Sequence, residues 1–280
     1  MSYDKITIVI NTFNSDDKIH QCLGSIDSKI KILVIENSNN LSFKKGLEKK
    51  YSNVNCILTG QNLGYAKGNN LGLSKVKSDY ALILNPDAYL ENNCIERLIY
   101  SAENLKDFAI LGPAKQDEYS DIDNYKDKED IFQTDSLKGF AMLFNISQFK
   151  EIGYFDENFF IYLEEIDLCK RLKEKNKKIY LDKKLIIHHI GGSSHNKIIN
   201  FEMELSRNWH WMWSTFYFNK KHYGYMNSLY KISGKFLSSL IKTIFYFLVF
   251  KKSKQKIYQH RLSGLFNSII GRESWYRPNL

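Results

Sequence analysis

Apolar positions in the first third of the chain fall into short blocks separated by polar turns, and the blocks alternate between two periods. Ile6, Thr7, Ile8, Val9 and Ile10 form a β-branched run that stops at Asn11-Thr12-Phe13-Asn14, the pattern of a buried strand. Behind it Ile19, Cys22, Leu23 and Ile26 recur at helical spacing, with Ser15 and Asp16 as N-cap residues. The alternation continues through a strand at 32–35, a helix at 43–51, a strand at 54–58, a helix at 65–76 and a strand at 80–84. Continuous apolar strands separated by helices predict βαβ units, hence an α/β fold with a mostly parallel central sheet and helices on both faces. In such a sheet the loops that leave the strands emerge along one edge, where ligands bind. Those loops carry Thr12 and Asn14, Glu36 and Asn37, the 62–72 segment with Lys67 and Asn70, and Asn85 with Asp87. Four separated segments point at one crevice.

Periodicity is lost at 117–135, a stretch rich in Asp, Lys and Tyr that predicts a mobile surface loop. A strand pattern returns at 138–144, and 156–175 holds an acidic cluster opening a helix. From about residue 202 the chain turns aromatic and basic, with Trp209, Trp211 and Trp213 leading, so the expected division is a catalytic domain at 1–200 and a helical extension at 201–280. Within the extension Phe236, Leu237, Leu240, Ile241, Ile244, Phe245, Leu248 and Val249 form a helical apolar stripe, followed at once by Lys251, Lys252, Lys254 and Lys256. That order fits a helix lying on an anionic membrane surface; a helix packed on the catalytic domain or on a second copy in a homodimer fits it equally. The greasy stretch 236–250 is interrupted by Lys242 and falls short of the ~20 apolar residues a spanning helix needs.

Composition adds boundaries. With 43% apolar and 14% aromatic residues over 280 positions, the chain is globular, and its +9 charge is concentrated beyond residue 200. No helix-turn-helix, RRM or zinc-finger pattern accompanies that charge, so nucleic acid is not the expected partner. Cys22, Cys56, Cys94 and Cys169 are widely spaced with no CxxC pair, which suits a reducing cytosol rather than a disulfide framework or thiolate zinc site. Met1-Ser2-Tyr3-Asp4-Lys5 runs directly into a strand with no signal-peptide pattern, and the expected location is cytoplasmic.

Candidate chemistry lies in carboxylates. Asp87 follows an apolar strand and Pro86, where it is either a turn residue or a ligand for a hard divalent cation on nucleotide phosphates. Glu164, Glu165 and Asp167 open a helix that ends in Lys173 and Lys175, an order that complements the helix dipole, and Asp167 with Arg171 reads as a surface i,i+4 pair. The aromatic lead-in Phe155, Phe159, Phe160 and Tyr162 would raise the pKa of a neighbouring carboxylate and help it accept a hydroxyl proton. His188 and His189, before Gly191-Gly192-Ser193-Ser194, could supply one imidazole to a metal, with His195 a weaker candidate. Gly60, Gly64, Gly68 and Gly72 match neither a Walker motif nor GxGxxG, and would let a helix approach the sheet and a nucleotide closely. Lys67 among them is either solvated or a phosphate contact.

Taken in order, Ile10-Asn11-Thr12-Phe13-Asn14, Val34-Ile35-Glu36-Asn37, Asn62-Leu63-Gly64 through Asn70-Leu71-Gly72, Leu84-Asn85-Pro86-Asp87, Gly139-Phe140-Ala141, Glu164-Glu165-Ile166-Asp167 and His188-His189-Ile190-Gly191-Gly192 resemble the family 2 glycosyltransferases, in particular the rhamnosyltransferase-like enzymes of bacterial surface polysaccharide assembly. The resemblance spans roughly residues 5–225. It implies a GT-A fold, a nucleotide-sugar donor such as a dTDP- or UDP-sugar, Mn2+ or Mg2+, and inversion at the anomeric carbon. By that resemblance Thr12, Asn14 and Glu36 line the base and ribose, Asp87 binds the metal with His189 or His188, Glu165 is the general base beside Glu164, and 139–141 flank the acceptor. The acceptor implied is an oligosaccharide or a polyprenyl-diphosphate-linked sugar, which places the protein on the inner face of the plasma membrane. Two departures stand out: Glu36 where the family usually has Asp, and Glu164-Glu165 where it usually has Glu-Asp. A binding protein that kept the fold and lost the chemistry is the competing expectation.

Overall fold

The computed structural model describes residues 3–15, 18–105, 107–113, 129–189 and 197–278. They form two compact units, Met1–Asp156 with Glu165–Gly192 and Glu157–Glu164 with Ser193–Leu280.

In the first unit the β-branched runs become β1 (Ile6–Thr12), β2 (Lys31–Glu36), β3 (Val54–Leu58) and β4 (Tyr80–Leu84), paired in parallel in the spatial order β3-β2-β1-β4. The crossovers carry α1 (Ile19–Gly24), α2 (Leu41–Lys50) and α3 (Gly64–Leu73). After β1 the chain winds outward through β2 to β3, then returns to the other side of β1 as β4. That reversal is a topological switch point, and in open α/β sheets ligands bind at such a point, outside the carboxyl ends of the strands, here those of β1 and β4.

Beyond β4 the chain forms β5 (Ala88–Leu90), α4 (Cys94–Asn104), β6 (Ile110–Pro113), β7 (Ile131–Gln133), β8 (Ala141–Asn145), α5 (Glu164–Glu174), β9 (Ile179–Asp182) and β10 (Ile187–His189). The sheet extends from β4 through β8, β6 and β9 to β7, with β8 antiparallel to both β4 and β6. β5 and β10 pair separately. β7 lies inside the stretch expected to be loop; three residues pairing with the edge of β9 are too few for periodicity to register. The rest of that loop, 114–128, falls outside the described residues.

Of two local features, the α1 cap differs from the sequence expectation and the close approach of α3 to the sheet matches it. The α1 N-terminus is closed by the Ser15 carbonyl, which accepts from the Lys18 and Ile19 amides at 3.2 Å, while the Ser15 hydroxyl turns back to the Phe13 carbonyl. Backbone satisfies the helix end where a side-chain cap was expected, and Asp16 lies outside the described residues. On α3 the glycine spacing serves packing: a Cβ at Gly68 would stand 2.6 Å from Asn11 Oδ1, and one at Gly72 would collide with Val9. The helix lies on β1 because these positions carry no side chain.

The second unit contains α6 (Lys197–Tyr223), α7 (Tyr225–Leu248) and α8 (Lys252–Ile269), each packed against the other two. Met212 and Phe216 meet Ile232 and Leu265 in its core. Gly264 sits against the Trp209 backbone, where any side chain would overlap the Trp209 carbonyl. His210 is fully buried between Ser274 and the Tyr276 carbonyl, each 2.9 Å away, and burial pushes its pKa down to about 3, so it is a neutral structural imidazole.

Candidate active site

Antiparallel pairing of β8 with β4 aligns Ala141 with Leu84, so the residues just before β8 lie beside those just after β4. The Asn85 amide donates to the Phe140 carbonyl at 2.8 Å. β10 pairs with β5 so that His189 stands opposite Ala88, and this register carries its imidazole to the preceding residue, Asp87. Nε2 of His189 is 3.1 Å from Asp87 Oδ1, and the ring stacks on Phe140 with centroids 4.9 Å apart. Lys18 Nζ is 3.9 Å from the other Asp87 oxygen. Burial opposes ionisation of Asp87, but the His189 hydrogen bond and charge and the Lys18 charge outweigh it and hold the carboxyl below its usual range.

Gly139, next to Phe140, lies against the side-chain stem of Glu165. A Cβ there would lie 3.7 Å from Cβ and Cγ of Glu165 and 3.3 Å from the Tyr65 hydroxyl, which itself donates to the Gly139 carbonyl. The Gly139-Phe140 dipeptide is therefore the common neighbour of both groups, with Gly139 against Glu165 and Phe140 against His189 of the Asp87–His189 pair. Burial pushes the Glu165 pKa up, and the hydrogen bonds from its own amide and that of Ile166, with the Lys138 charge, only partly counter it. Tyr162 and Leu163, immediately before α5, both hold positive φ, +74° and +68°. Bulky side chains in the left-handed region cost on the order of 1–3 kcal/mol each, and this elbow sets where α5 begins and so where Glu165 sits. Of the two glutamates Glu165 is half-buried, whereas Glu164 is only 4% exposed, so Glu165 is the more accessible carboxylate.

His188 does not join Asp87. Side chains alternate along a strand, so His188 points to the opposite face of β10, stacks on Tyr89 and bonds Glu91 Oε1 at 2.7 Å. The segment with Gly191, Gly192, Ser193, Ser194 and His195 lies outside the described residues. Asp167 and Arg171 are not a surface pair: Asp167 is fully buried, 2.8 Å from Arg171 Nε, and the guanidinium also donates to the Ile152 and Tyr154 carbonyls. The pair pins the loop that leads into the acidic cluster.

Several polar residues expected around a nucleotide hold the loops themselves. Glu36 accepts from the amides of Ser38 at 2.8 Å and Asn40 at 2.7 Å, using both carboxylate oxygens. The Thr12 hydroxyl donates to the Ile35 carbonyl. Asn37 bonds Asn11 and accepts from the Leu63 amide at 3.1 Å, while Asn11 donates to the Gly64 and Tyr65 carbonyls. Asn11, not singled out from sequence, is the centre of this knot, which ties β1, β2 and the start of α3 together. Asn70 exchanges two hydrogen bonds with the Phe155 backbone, at 2.9 and 3.0 Å. Asn14 holds φ +48° at the crevice edge with its amide on Ser38, and Lys67 is exposed on α3.

Among the described residues no group of three or more His, Cys, Asp and Glu could hold a metal ion. The Asp87–His189 pair fits part of one by donor type, a carboxylate oxygen and an imidazole nitrogen 3.1 Å apart. A carboxylate and an imidazole leave the remaining positions to phosphate and water.

Comparisons with known proteins address the family and the fold. The low-salt glycan biosynthesis hexosyltransferase of Haloferax volcanii is 25% identical over 196 residues, 62% of this chain and 63% of its own length. The chain thus spans somewhat under two thirds of that relative. The rhamnosyltransferase WbbL of Escherichia coli is 26% identical over 203 residues, covering 60% of this chain and 76% of WbbL. Among solved structures the mannosyltransferase PcManGT of Pyrobaculum calidifontis, in complex with GDP-Man and Mn2+, superposes with a TM-score of 0.61 at 10% identity, covering 96% of this chain and 88% of that one. The fold is therefore the GT-A arrangement, a mostly parallel sheet with flanking helices, followed by a C-terminal helical region. The model of "Glycosyl transferase family 2" matches residues 7–169, more than half of the chain, and so the protein belongs to that family.

Proposed function

We propose that the protein is an inverting hexosyltransferase that moves a sugar from a nucleotide diphosphate to a saccharide hydroxyl in surface polysaccharide synthesis. L-rhamnose from a dTDP donor is the preferred assignment, supported by the rhamnosyltransferase among its relatives. The acceptor in this reading is polyprenyl-diphosphate-linked, and the protein works at the cytoplasmic face of the plasma membrane. The observation that carries the proposal is the Gly139-Phe140 dipeptide, whose two residues touch a desolvated glutamate, Glu165, and the His189 ring of the Asp87–His189 pair.

The reaction is a single displacement. The Glu165 carboxylate takes the proton of the acceptor hydroxyl as its oxygen bonds to the anomeric carbon, and the bond from that carbon to the diphosphate breaks with the electron pair leaving on the phosphate oxygen. Asp87 and His189 would hold Mn2+ or Mg2+, whose chemistry is to neutralise the departing diphosphate. Asp87, kept ionised, suits that task, and Glu165, made more basic by burial, suits proton capture. Asn14, Lys67 and Asn85 remain the side chains proposed to meet the nucleotide.

Replacing Glu165→Gln is expected to lower turnover by ~10²-fold or more with donor affinity retained. It should also remove the acid limb of the rate profile: turnover by the native protein falls as pH drops through the raised Glu165 pKa, because the protonated carboxyl cannot accept a proton. Linkage has the opposite sign. A carboxyl whose folded pKa is raised contributes most to stability below its unfolded value, and that contribution is lost as pH rises through the folded one. The window in which the base works is the window in which it costs stability. Normal turnover by Glu165→Gln, or no sugar release from any nucleotide-sugar by the native protein, would overturn the reading. Asp87→Ala should abolish the dependence of donor titration on Mn2+.

A further inference from the structure

The second unit combines two features that seldom occur together on a water-facing helical bundle. Between Glu204 and Glu273 there is no acidic residue, while the same stretch holds twelve lysines and arginines. Within it α7, 24 residues and so about 36 Å long, leaves a continuous apolar face in contact with solvent. Leu237, Ile241, Ile244 and Leu248 are each more than half exposed at a spacing of three and four. The three lysines of α7 lie off that face, turned over aromatic rings of the same unit: Lys231 over Tyr223 at 3.5 Å, Lys235 over Trp211 at 5.6 Å and Lys242 over Tyr258 at 5.2 Å. Where α7 turns into α8, Phe247, Leu248 and Phe250 are 63%, 64% and 87% exposed, and Lys251, Lys252, Lys254 and Lys256 follow.

We propose that the α7–α8 hairpin docks the protein on a bilayer with acidic headgroups. The apolar face of α7 lies in the interface, the 247–250 tip enters the acyl boundary, and the lysines after it pair with lipid phosphate. No described helix is long and apolar enough to cross a membrane, so the helix lies in the plane. Charge selects the occupant. A second copy pressed symmetrically on this face has no carboxylate between residues 205 and 272 to offer Lys251, Lys252, Lys254 and Lys256, whereas an acidic leaflet supplies the countercharge. The docking deepens the peripheral placement proposed above, yet it can be measured with no sugar donor present.

The experiment is flotation of the full chain with vesicles of phosphatidylcholine, with and without phosphatidylglycerol. The native protein is expected to float with phosphatidylglycerol vesicles and to be released by salt. Phe247→Glu with Phe250→Glu should reduce partition at least ~10-fold without lowering Tm, since both side chains are exposed. Neutralising Lys251, Lys252, Lys254 and Lys256 to Gln should cost about fivefold per charge on phosphatidylglycerol vesicles only. Glu165→Gln must bind like the native protein, so failure of catalysis leaves the docking standing. Failure to float while turnover on a water-soluble acceptor persists overturns the docking alone. Equal binding to both vesicle types, or a dimer that the Phe247 and Phe250 changes dissociate with no vesicle binding at all, would also overturn it.

Discussion

The two units treat charge in opposite ways. In the sheet unit, buried carboxylates are paired at close range: Asp182, fully buried, accepts two hydrogen bonds from Arg97 at 2.7 and 2.9 Å and one from Ser101 at 2.9 Å, and Asp167 is pinned to Arg171. The helical unit lacks acids from 205 to 272 and leaves large apolar side chains facing outward. A polar group removed from water is tolerated only with a partner, so the first unit must satisfy its ions internally to keep loops in place around the crevice. Positive charge with no acid in the same stretch, and bare apolar surface, gain little for folding. Their presence in the second unit is better explained by a partner outside the chain.

The sharpest way to break this comparison is to leave one buried ion without its partner. Asp182→Ala leaves the Arg97 guanidinium, Ser101 and the Lys184 amide facing an empty site, and the expected loss is about 3–5 kcal/mol in denaturant unfolding. The double change Asp182→Leu with Arg97→Met should recover much of it, because a matched apolar pair needs no counterion. Equal losses in the single and double variants would mean that shape, not charge pairing, holds β9 to α4.

A smaller effect tests whether polar loop residues serve the fold or a ligand. Asn70 spends its amide on both backbone groups of Phe155, so Asn70→Ala should cost about 1–3 kcal/mol. Donor affinity, measured by titration at a temperature where the variant is folded, should stay unchanged. A variant with native Tm and weakened donor binding would return Asn70 to the nucleotide site.

These cases mark where the sequence was legible. The strands β1 to β4 were readable because β-branched runs bounded by polar turns have few other interpretations, and their parallel order followed from the helices between them. Asp87 and Glu165 could be proposed because each lies at the border of an element, in the turn between β4 and β5 and in the first turn of α5. Asp182 could not: its partners Arg97 and Ser101 stand 85 and 81 positions away, beyond any local pattern. The choice between His188 and His189 needed strand register, since one position decides which face a side chain takes. Asn11, Glu36, Asn37 and Asn70 show a different difficulty. Polar residues that close loops on themselves and polar residues that await a ligand have the same composition, and only hydrogen-bond partners separate them.

The mildest perturbation sharpens the comparison most, because its two readouts should move in opposite directions. Phe250 holds φ +55° where α7 ends, with the Lys251 amide closing on the Tyr246 carbonyl at 3.0 Å. Glycine is the usual occupant of such a position, since a Cβ in the left-handed region costs roughly 1–2 kcal/mol, while glycine carries an entropic cost of its own. Phe250→Gly should therefore stabilise the protein by up to about 1 kcal/mol in denaturant unfolding. The same change removes the most exposed aromatic of the tip and should weaken partition onto phosphatidylglycerol vesicles. A residue that is unfavourable for the helix end and exposed to water is retained most economically if something other than folding uses it. Should Phe250→Gly lower stability and leave vesicle binding intact, the ring is packing within the hairpin, and the contrast between a self-satisfied sheet unit and an outward-reaching helical unit fails at its most exposed residue.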